Sequence, residues 1–385
     1  MASRVTIQDI ARLAGVSKAT VSRVINQKPD VDVATRERIL HIMDEYDFVP
    51  NAAAAGLAGG QTNLVGVLVP SLTWPLMPQV MLGIAESVEQ SMYELVLYSM
   101  SQQQDYPMVL NQIVNSRLIT ALLAIFPGKA KDHLLRLHEQ GFPLVMLDDQ
   151  NPLSPLPSVG TDHRAGAGAA VRHLIELGHR DIAHISGPLA YKVSRDRQVG
   201  YLEALHKEDI EVPPTFILEG DFKPSSGVVC GHRLLEAPRR PTAIFAANDE
   251  MAYGVMQAAD DLGLRIPDDL AVVGFDDIAS SAHMRPPLTT IHQPFYEMGQ
   301  QSISLLLSQT EASRTRVPPS LHSMRAQKFD MPKLDMSPAS PEPIRIQLPS
   351  SLIVRASSTS AKVSASVPIA SAPMDRVSIG YSAAI

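Results

Sequence analysis

From Leu64 onward, short apolar runs recur with amphipathic stretches between them, and this alternation constrains the chain more than any other feature. LVGVLVP, YELVLYSM, ITALLAIF, FPLVMLD, DIAHISG, TAIFAAND and LAVVGFDD are each apolar enough to be buried parallel strands. VMLGIAESVEQ, VLNQIVNS and AAVRHLIELG lie between them and carry apolar residues at helical spacing. The pattern predicts a doubly wound α/β architecture. The strands suffice for two such units, with a break expected near Gly160, Thr161 and Asp162 and a return near Thr289 and Thr290. Past Leu307 the periodicity fails. Residues 309–343, rich in Pro, Ser, Arg and Met, are expected to form a long loop or linker. IRIQLPSSLIVRAS, 344–357, regains strand character, and the Ser/Ala-rich 358–385 is expected to be disordered; it has no leucine heptads for a coiled-coil tail.

The first fifty residues have a different texture. In IARLAGVSKATVSRVIN, residues 10–26, a run of good helix formers is cut by Gly15 and resumes at once. Ile10, Leu13 and Ala14 before the break, and Val21, Val24 and Ile25 after it, are apolar at helical spacing. Gly15 can take the left-handed conformation that closes a helix, Val16 can plug the angle, and Ser17 can cap the next helix. Two short helices set at a steep angle by such a turn are what helix-turn-helix DNA readers use. Thr6 stands where it would cap the first helix and Asp32 where it would cap a third, expected over about 33–46 with Ile39, Ile42 and Met43 inward. Pro50 then stops regular structure, and NAAAAGLAGGQT, 51–62, combines a helix-favouring start with a Gly59-Gly60 break. It is short for an isolated helix, so a conditional hinge helix is expected.

At 385 residues the chain has room for a small module and a large two-lobed one. Its single cysteine, Cys230, allows no disulfide framework and suits a reducing compartment. MASRVTIQDIA has no signal-peptide core and no apolar run approaches membrane-spanning length, so a cytoplasmic location is expected. The net charge of -7 does not argue against nucleic acid, because charge must be counted by domain. Lys18 and Arg23 fall on the second helix, whereas Asp44, Glu45 and Asp47 close the third.

TIQDIARLAGVSKATVSRVIN, followed by VPNAAAAGLAGGQT and an α/β core, resembles the LacI/GalR family of ligand-responsive transcriptional repressors. HLIELGHRDIAHISGP, ANDEMAYG, IPDDLAVVGFDDI and PPLTTIHQP extend the resemblance over roughly residues 5–308 and again over 344–357. It implies an all-α helix-turn-helix head over 1–50, a hinge over 51–62, and a bilobed periplasmic-binding-protein-like core over 63–308 and 344–357. It also implies a homodimer on a pseudo-palindromic operator, with affinity switched by a small molecule, a sugar by expectation, and with no cofactor, metal or membrane partner.

The DNA-contacting residues the resemblance implies are Thr6, Lys18, Ala19, Thr20, Ser22, Arg23, Asn26 and Leu57. Arg23 could pair with a guanine and Ala19 meet a thymine methyl in the major groove, while Ser22 and Asn26 are placed for phosphate. Leu57 would wedge into the minor groove. Ala55, Gly56 and Gly60 stand where basic or polar residues often sit, so salt should weaken binding less steeply than for a more basic relative. For the effector the implied set is Ser71 and Asp148 from the first lobe, Arg197, Phe222, Asn248 and Asp276 from the second, and Gln293 at the crossing. Charged and amide groups at strand ends suit a hydroxyl-rich ligand, with Phe222 as an apolar platform or a core aromatic. Arg197 could instead bridge the lobes, and Trp74 could stack on a ligand or face a partner.

No catalytic apparatus is apparent. GAGAAV, 166–171, lacks the third glycine of a dinucleotide loop and is expected to serve close helix packing. His163, His173, His179 and His184 lack metal-ligand spacing, and neither a phosphate loop nor a nucleophile elbow occurs. Two rival readings remain: a sugar-binding protein that shares the core, and a DNA binder indifferent to small molecules.

Overall fold

The computed structural model describes residues 5–25, 28–48, 62–99, 106–116, 118–126, 130–148, 154–316 and 343–359. Asn26, Leu57, and with them nearly all of the expected hinge, lie outside the described residues.

The head consists of α1 (Ile7–Ala14), α2 (Lys18–Ile25) and α3 (Val33–Glu45). Thr6 and Asp9 form a reciprocal capping box at the start of α1. Gly15 closes that helix at φ 64°, where a Cβ would be strained. Asp32 caps α3 by accepting from the Thr35 amide at 2.9 Å. Ile10, Ala14, Val21, Val24 and Ile39 meet in a small buried core, with Ile42 and Met43 packed on its edge. Leu13 remains 44% exposed, so the apolar stripe of α1 is narrower than its spacing suggests.

The first lobe runs β1 (Leu64–Val69), α4 (Met77–Glu89), β2 (Glu94–Ser99), α5 (Tyr106–Asn115), β3 (Ala121–Ile125), α6 (Lys131–Glu139), β4 (Leu144–Leu147) and β5 (Ser158–Thr161). The chain then crosses to the second lobe: α7 (His163–Glu176), β6 (Ile182–Ser186), α8 (Lys192–Lys207), β7 (Ile217–Glu219), α9 (Pro224–Leu235), β8 (Ala243–Ala246), α10 (Asp249–Asp261), β9 (Ala271–Asp276) and β10 (Thr289–His292). It returns through α11 (Phe295–Arg316), which packs on the first lobe. The segment 343–359 then supplies β11 (Arg345–Leu348) to the first sheet and β12 (Ser351–Ile353) to the second. The sheets have the orders β11-β5-β4-β3-β1-β2 and β12-β10-β9-β8-β6-β7, parallel throughout except for β12. In each, the order reverses beside its first strand, which places a crevice at the carboxyl ends. Helices cover both faces of both sheets, α4 and α11 opposite α5 and α6, and α7 and α8 opposite α9 and α10.

Several expectations are corrected. β2 is an edge strand with Glu94 and Leu97 exposed, because nothing pairs with its outer side among the described residues. β5, β7 and β10 are strands too short to stand out by composition. Residues 309–316, expected in a loop, continue α11: no Gly or Pro interrupts them, and the Thr310 hydroxyl donates back to the Leu306 carbonyl at 2.8 Å. Ser358, expected in the disordered tail, is buried, with its hydroxyl 2.7 Å from that of Thr289 and 2.9 Å from His173 Nε2. The GAGAAV stretch, by contrast, serves close packing as expected: it lies inside α7, where a Cβ on Gly166 would press on the Phe275 ring and one on Gly200 of α8 would press on Ala167. Thr62, the last residue of the expected hinge, donates its hydroxyl to the Leu118 carbonyl at 2.7 Å, which ties it to the first lobe.

Candidate DNA-reading and effector sites

On α2, Val21 and Val24 are buried, and the opposite side presents Lys18, Ala19 and Arg23 to solvent. Thr20 and Ser22 are half-buried. Ser17 fixes the start of this helix, accepting from the Thr20 amide at 3.1 Å with its hydroxyl 2.9 Å from that of Thr20. The exposed face therefore carries two cations and a small apolar residue, which suits phosphates, base edges and a thymine methyl. Thr6 differs in character. Its hydroxyl donates to Asp9 at 2.7 Å and accepts from the Asp9 amide at 3.3 Å, so it is engaged in capping α1.

The second site lies where the carboxyl ends of the two sheets meet. Asp148 follows β4, His163 opens α7 after β5, Arg197 projects from α8, Asp276 ends β9 and Gln293 follows β10. All five are buried. His163 Nε2 donates to Asp148 Oδ1 at 2.8 Å, which joins the lobes. The guanidinium of Arg197 donates to His163 Nδ1 at 3.3 Å, to Asp276 Oδ1 at 3.4 Å and to the Ala247 carbonyl. Gln293 donates to Asp276 Oδ1 at 2.7 Å and accepts from the Thr161 hydroxyl at 2.7 Å, linking two crossing segments. The Arg197 guanidinium also lies 3.9 Å from the Phe275 ring centroid. Because an arginine cannot accept, Nδ1 of His163 carries the lone pair and Nε2 the proton. Burial pushes the Asp276 carboxyl up, opposed by the Arg197 charge, and burial pulls the Arg197 guanidinium down, opposed by Asp276 and Asp148.

Two more of the expected residues form a neighbouring unit. Asn248 caps α10 through the Met251 amide at 3.0 Å and donates its Nδ2 to the Phe222 carbonyl at 3.0 Å. Phe222, at φ 67°, lays its ring where a side chain on Gly187 would stand, and its centroid is 6.3 Å from that of Tyr191. It is half-buried, between a platform and a core aromatic. Ser71 stands apart from the network, hydrogen-bonded to Thr73 at 2.8 Å. Trp74 packs on Phe126 at a centroid distance of 5.9 Å.

From sequence alone, His163 is notable only as a poor metal ligand, and neither Thr161 nor Asp249 stands out as a site residue. One signal was present: His163 follows Asp162, an N-cap that accepts from the Ala165 amide at 2.9 Å. Asp249 is fully buried and accepts from Thr290 at 2.5 Å, Ser281 at 2.6 Å and the Ile278 amide at 3.0 Å. Burial and the nearby Asp276 push its carboxyl up to about 8, while these three donors pull the other way.

Comparison with known proteins finds relatives of both the head and the core. Residues 6–51 match the family described as bacterial regulatory proteins, lacI family, and residues 171–326 match the periplasmic binding protein-like domain. Catabolite control protein A of Priestia megaterium is 36% identical over 303 residues, 78% of this chain and 91% of that protein. The HTH-type transcriptional repressor PurR of Photorhabdus laumondii is 35% identical over 305 residues, 78% of this chain and 89% of that protein. Among solved structures, the Lac repressor dimer bound to operator and an anti-inducer superimposes with a TM-score of 0.77 at 30% identity, covering 92% of this chain and 99% of that one. The complex of the transcriptional regulator CelR with cellobiose gives a TM-score of 0.64 at 30% identity, covering 92% and 100%.

Proposed function

This chain belongs to the LacI family of bacterial regulatory proteins, and on that premise we propose that it is a homodimeric repressor whose grip on a pseudo-palindromic operator is switched by a hydroxyl-rich small molecule, a sugar in the first instance. The relatives are transcriptional regulators, and no helix among the described residues is long and apolar enough to cross a membrane. A DNA regulator works where the chromosome is, so we assign it to the cytoplasm. Residues 1–50 form the reading head in this account, 51–62 the hinge, and 63–308 with 344–357 the effector-binding core.

The observation that carries the effector assignment is the buried polar network at the carboxyl ends of both sheets. Asp148, Arg197, Asp276 and Gln293 supply paired donors and acceptors, and the half-buried Phe222 offers an apolar face beside them. Vicinal hydroxyls can both donate to a carboxylate and accept from a guanidinium, which suits this set. Ligand must favour one arrangement of the lobes over the other, since equal affinity for both would switch nothing. The dimeric state draws on the Lac repressor dimer and on Leu82, Met92 and Leu97, exposed on α4, the turn after it and the β2 edge.

Two measurements on the full-length protein test this. Binding selection from randomised duplex should recover an inverted repeat, and a thermal-shift panel of sugars should yield one whose saturation raises Tm and changes operator affinity. At 100 times its Kd, such a ligand stabilises by about 2.7 kcal/mol. No preference for any inverted repeat would leave only a sugar-binding protein. A clear repeat with no effect from any metabolite would leave a ligand-independent DNA binder.

A further inference from the structure

Asp30 lies in the connection between α2 and α3, and its carboxylate is 3.4 Å from Nε of Arg23, the arginine on the exposed face of α2. We propose that Asp30 is a positioning residue for DNA reading: its charge draws the Nε side of the Arg23 guanidinium toward itself and so leaves the Nη1–Nη2 edge facing a guanine. The proposal rests on the reading of α2 given above.

Residues 28–32 are tied at both ends. The Lys28 amide donates to the Arg23 carbonyl at 2.9 Å, the Arg36 guanidinium donates to the Lys28 carbonyl, and Asp32 caps α3. Asp30 therefore stands on a fixed stretch of backbone beside the reading helix. Both members of the ion pair are more than half exposed, so the contact adds little to stability. Its effect is on geometry. Guanine presents O6 and N7 as two acceptors in the major groove, and a guanidinium can meet them through Nε and one Nη or through both Nη. A carboxylate beside Nε disfavours the first mode and lowers, for the second, the entropy of ordering a long side chain at the moment of binding. The same carboxylate repels nearby phosphates, which weakens binding to random sequence. Both consequences favour selectivity over raw affinity.

The test uses the full-length protein and the inverted repeat recovered by selection with the wild type. Anisotropy titrations compare that duplex, a duplex with the Arg23-dependent guanine replaced in each half-site, and a random duplex. Asp30→Ala is expected to lower discrimination at the guanine by roughly fivefold per half-site, part of what a bidentate arginine–guanine pair supplies, while binding to random duplex tightens. Asp30→Glu, which keeps the carboxylate on a longer side chain, should recover part of the discrimination. In an Arg23→Ala background, Asp30→Ala should change no base preference. If Arg23→Ala lowers discrimination and Asp30→Ala does not, the proposal is wrong while the reading of α2 stands. If Arg23→Ala itself changes no base preference, that reading is what fails. A loss of preference at a cytosine on Asp30→Ala, persisting without Arg23, would show Asp30 reading a base directly and would overturn the positioning role.

Discussion

His184 sits in β6 with its ring stacked between those of Tyr201 and Phe245, at centroid distances of 5.0 and 4.9 Å. Nδ1 donates to the Phe245 carbonyl at 2.9 Å and Nε2 is buried without a partner among the described residues, so burial pulls the ring down to about 4. The folded value lies below the unfolded one near 6.5, so the stability it contributes is full above that pH and lost as pH falls toward 4. The loss is on the order of 3 kcal/mol by pH 4. Tm measured between pH 7 and 4 should fall, and His184→Gln should flatten that part of the curve. Arg197 provides a second case. Replacing it with leucine leaves Asp276 buried without its cation, which should cost about 3 kcal/mol or more in urea unfolding. Adding Asp276→Asn should recover a large part of that cost; additive losses would mean that the 3.4 Å contact carries no coupling.

Among the elements, the helix pair α4 and α11 shows how the first lobe is closed. A Cβ on Gly83 would overlap the Tyr296 carbonyl and one on Gly299 the Val80 carbonyl, so these helices approach at backbone contact. The Tyr296 hydroxyl, donating to Glu86 at 2.5 Å and accepting from Gln300 at 2.9 Å, pins the same pair. Gly83→Ala should lower stability by roughly 1–3 kcal/mol, read as a drop in Tm, because neither backbone can withdraw without repacking. In the head, Gly15→Ala places a Cβ in the left-handed region at a cost of about 1–2 kcal/mol. It should weaken operator binding through the angle between α1 and α2, leaving the melting of the core unchanged.

At the scale of the molecule, three crossings join the lobes, and the last is made by a segment distant in sequence from both. β11 completes one sheet and β12 the other, with Ser357 and Ser358 buried behind them. The Arg355 guanidinium donates to the Leu288 carbonyl at 2.8 Å and to Asp277 at 2.7 Å. A chain ending at residue 342 should therefore lose cooperative unfolding and solubility relative to one ending at 359. Equal melting of the two would show that this segment is dispensable.

Local pattern was enough to define the head and the longer strands of the core. Gly15 between two apolar stripes, caps at Thr6, Ser17 and Asp32, and runs such as LVGVLVP depend on neighbours a few residues away, where spacing in the sequence is spacing in space. Short strands such as β7, the edge position of β2 and the helical course of 309–316 were not legible, because each is settled by what packs or pairs with it from elsewhere. The effector network shows the same division. Resemblance nominated Asp148, Arg197, Asp276 and Gln293, but only the meeting of the two sheets set His163 between Asp148 and Arg197 and fixed which of its nitrogens holds the proton. Hydrogen bonds between residues far apart along the chain require the folded crossing of the lobes, and that geometry is not written in any local stretch.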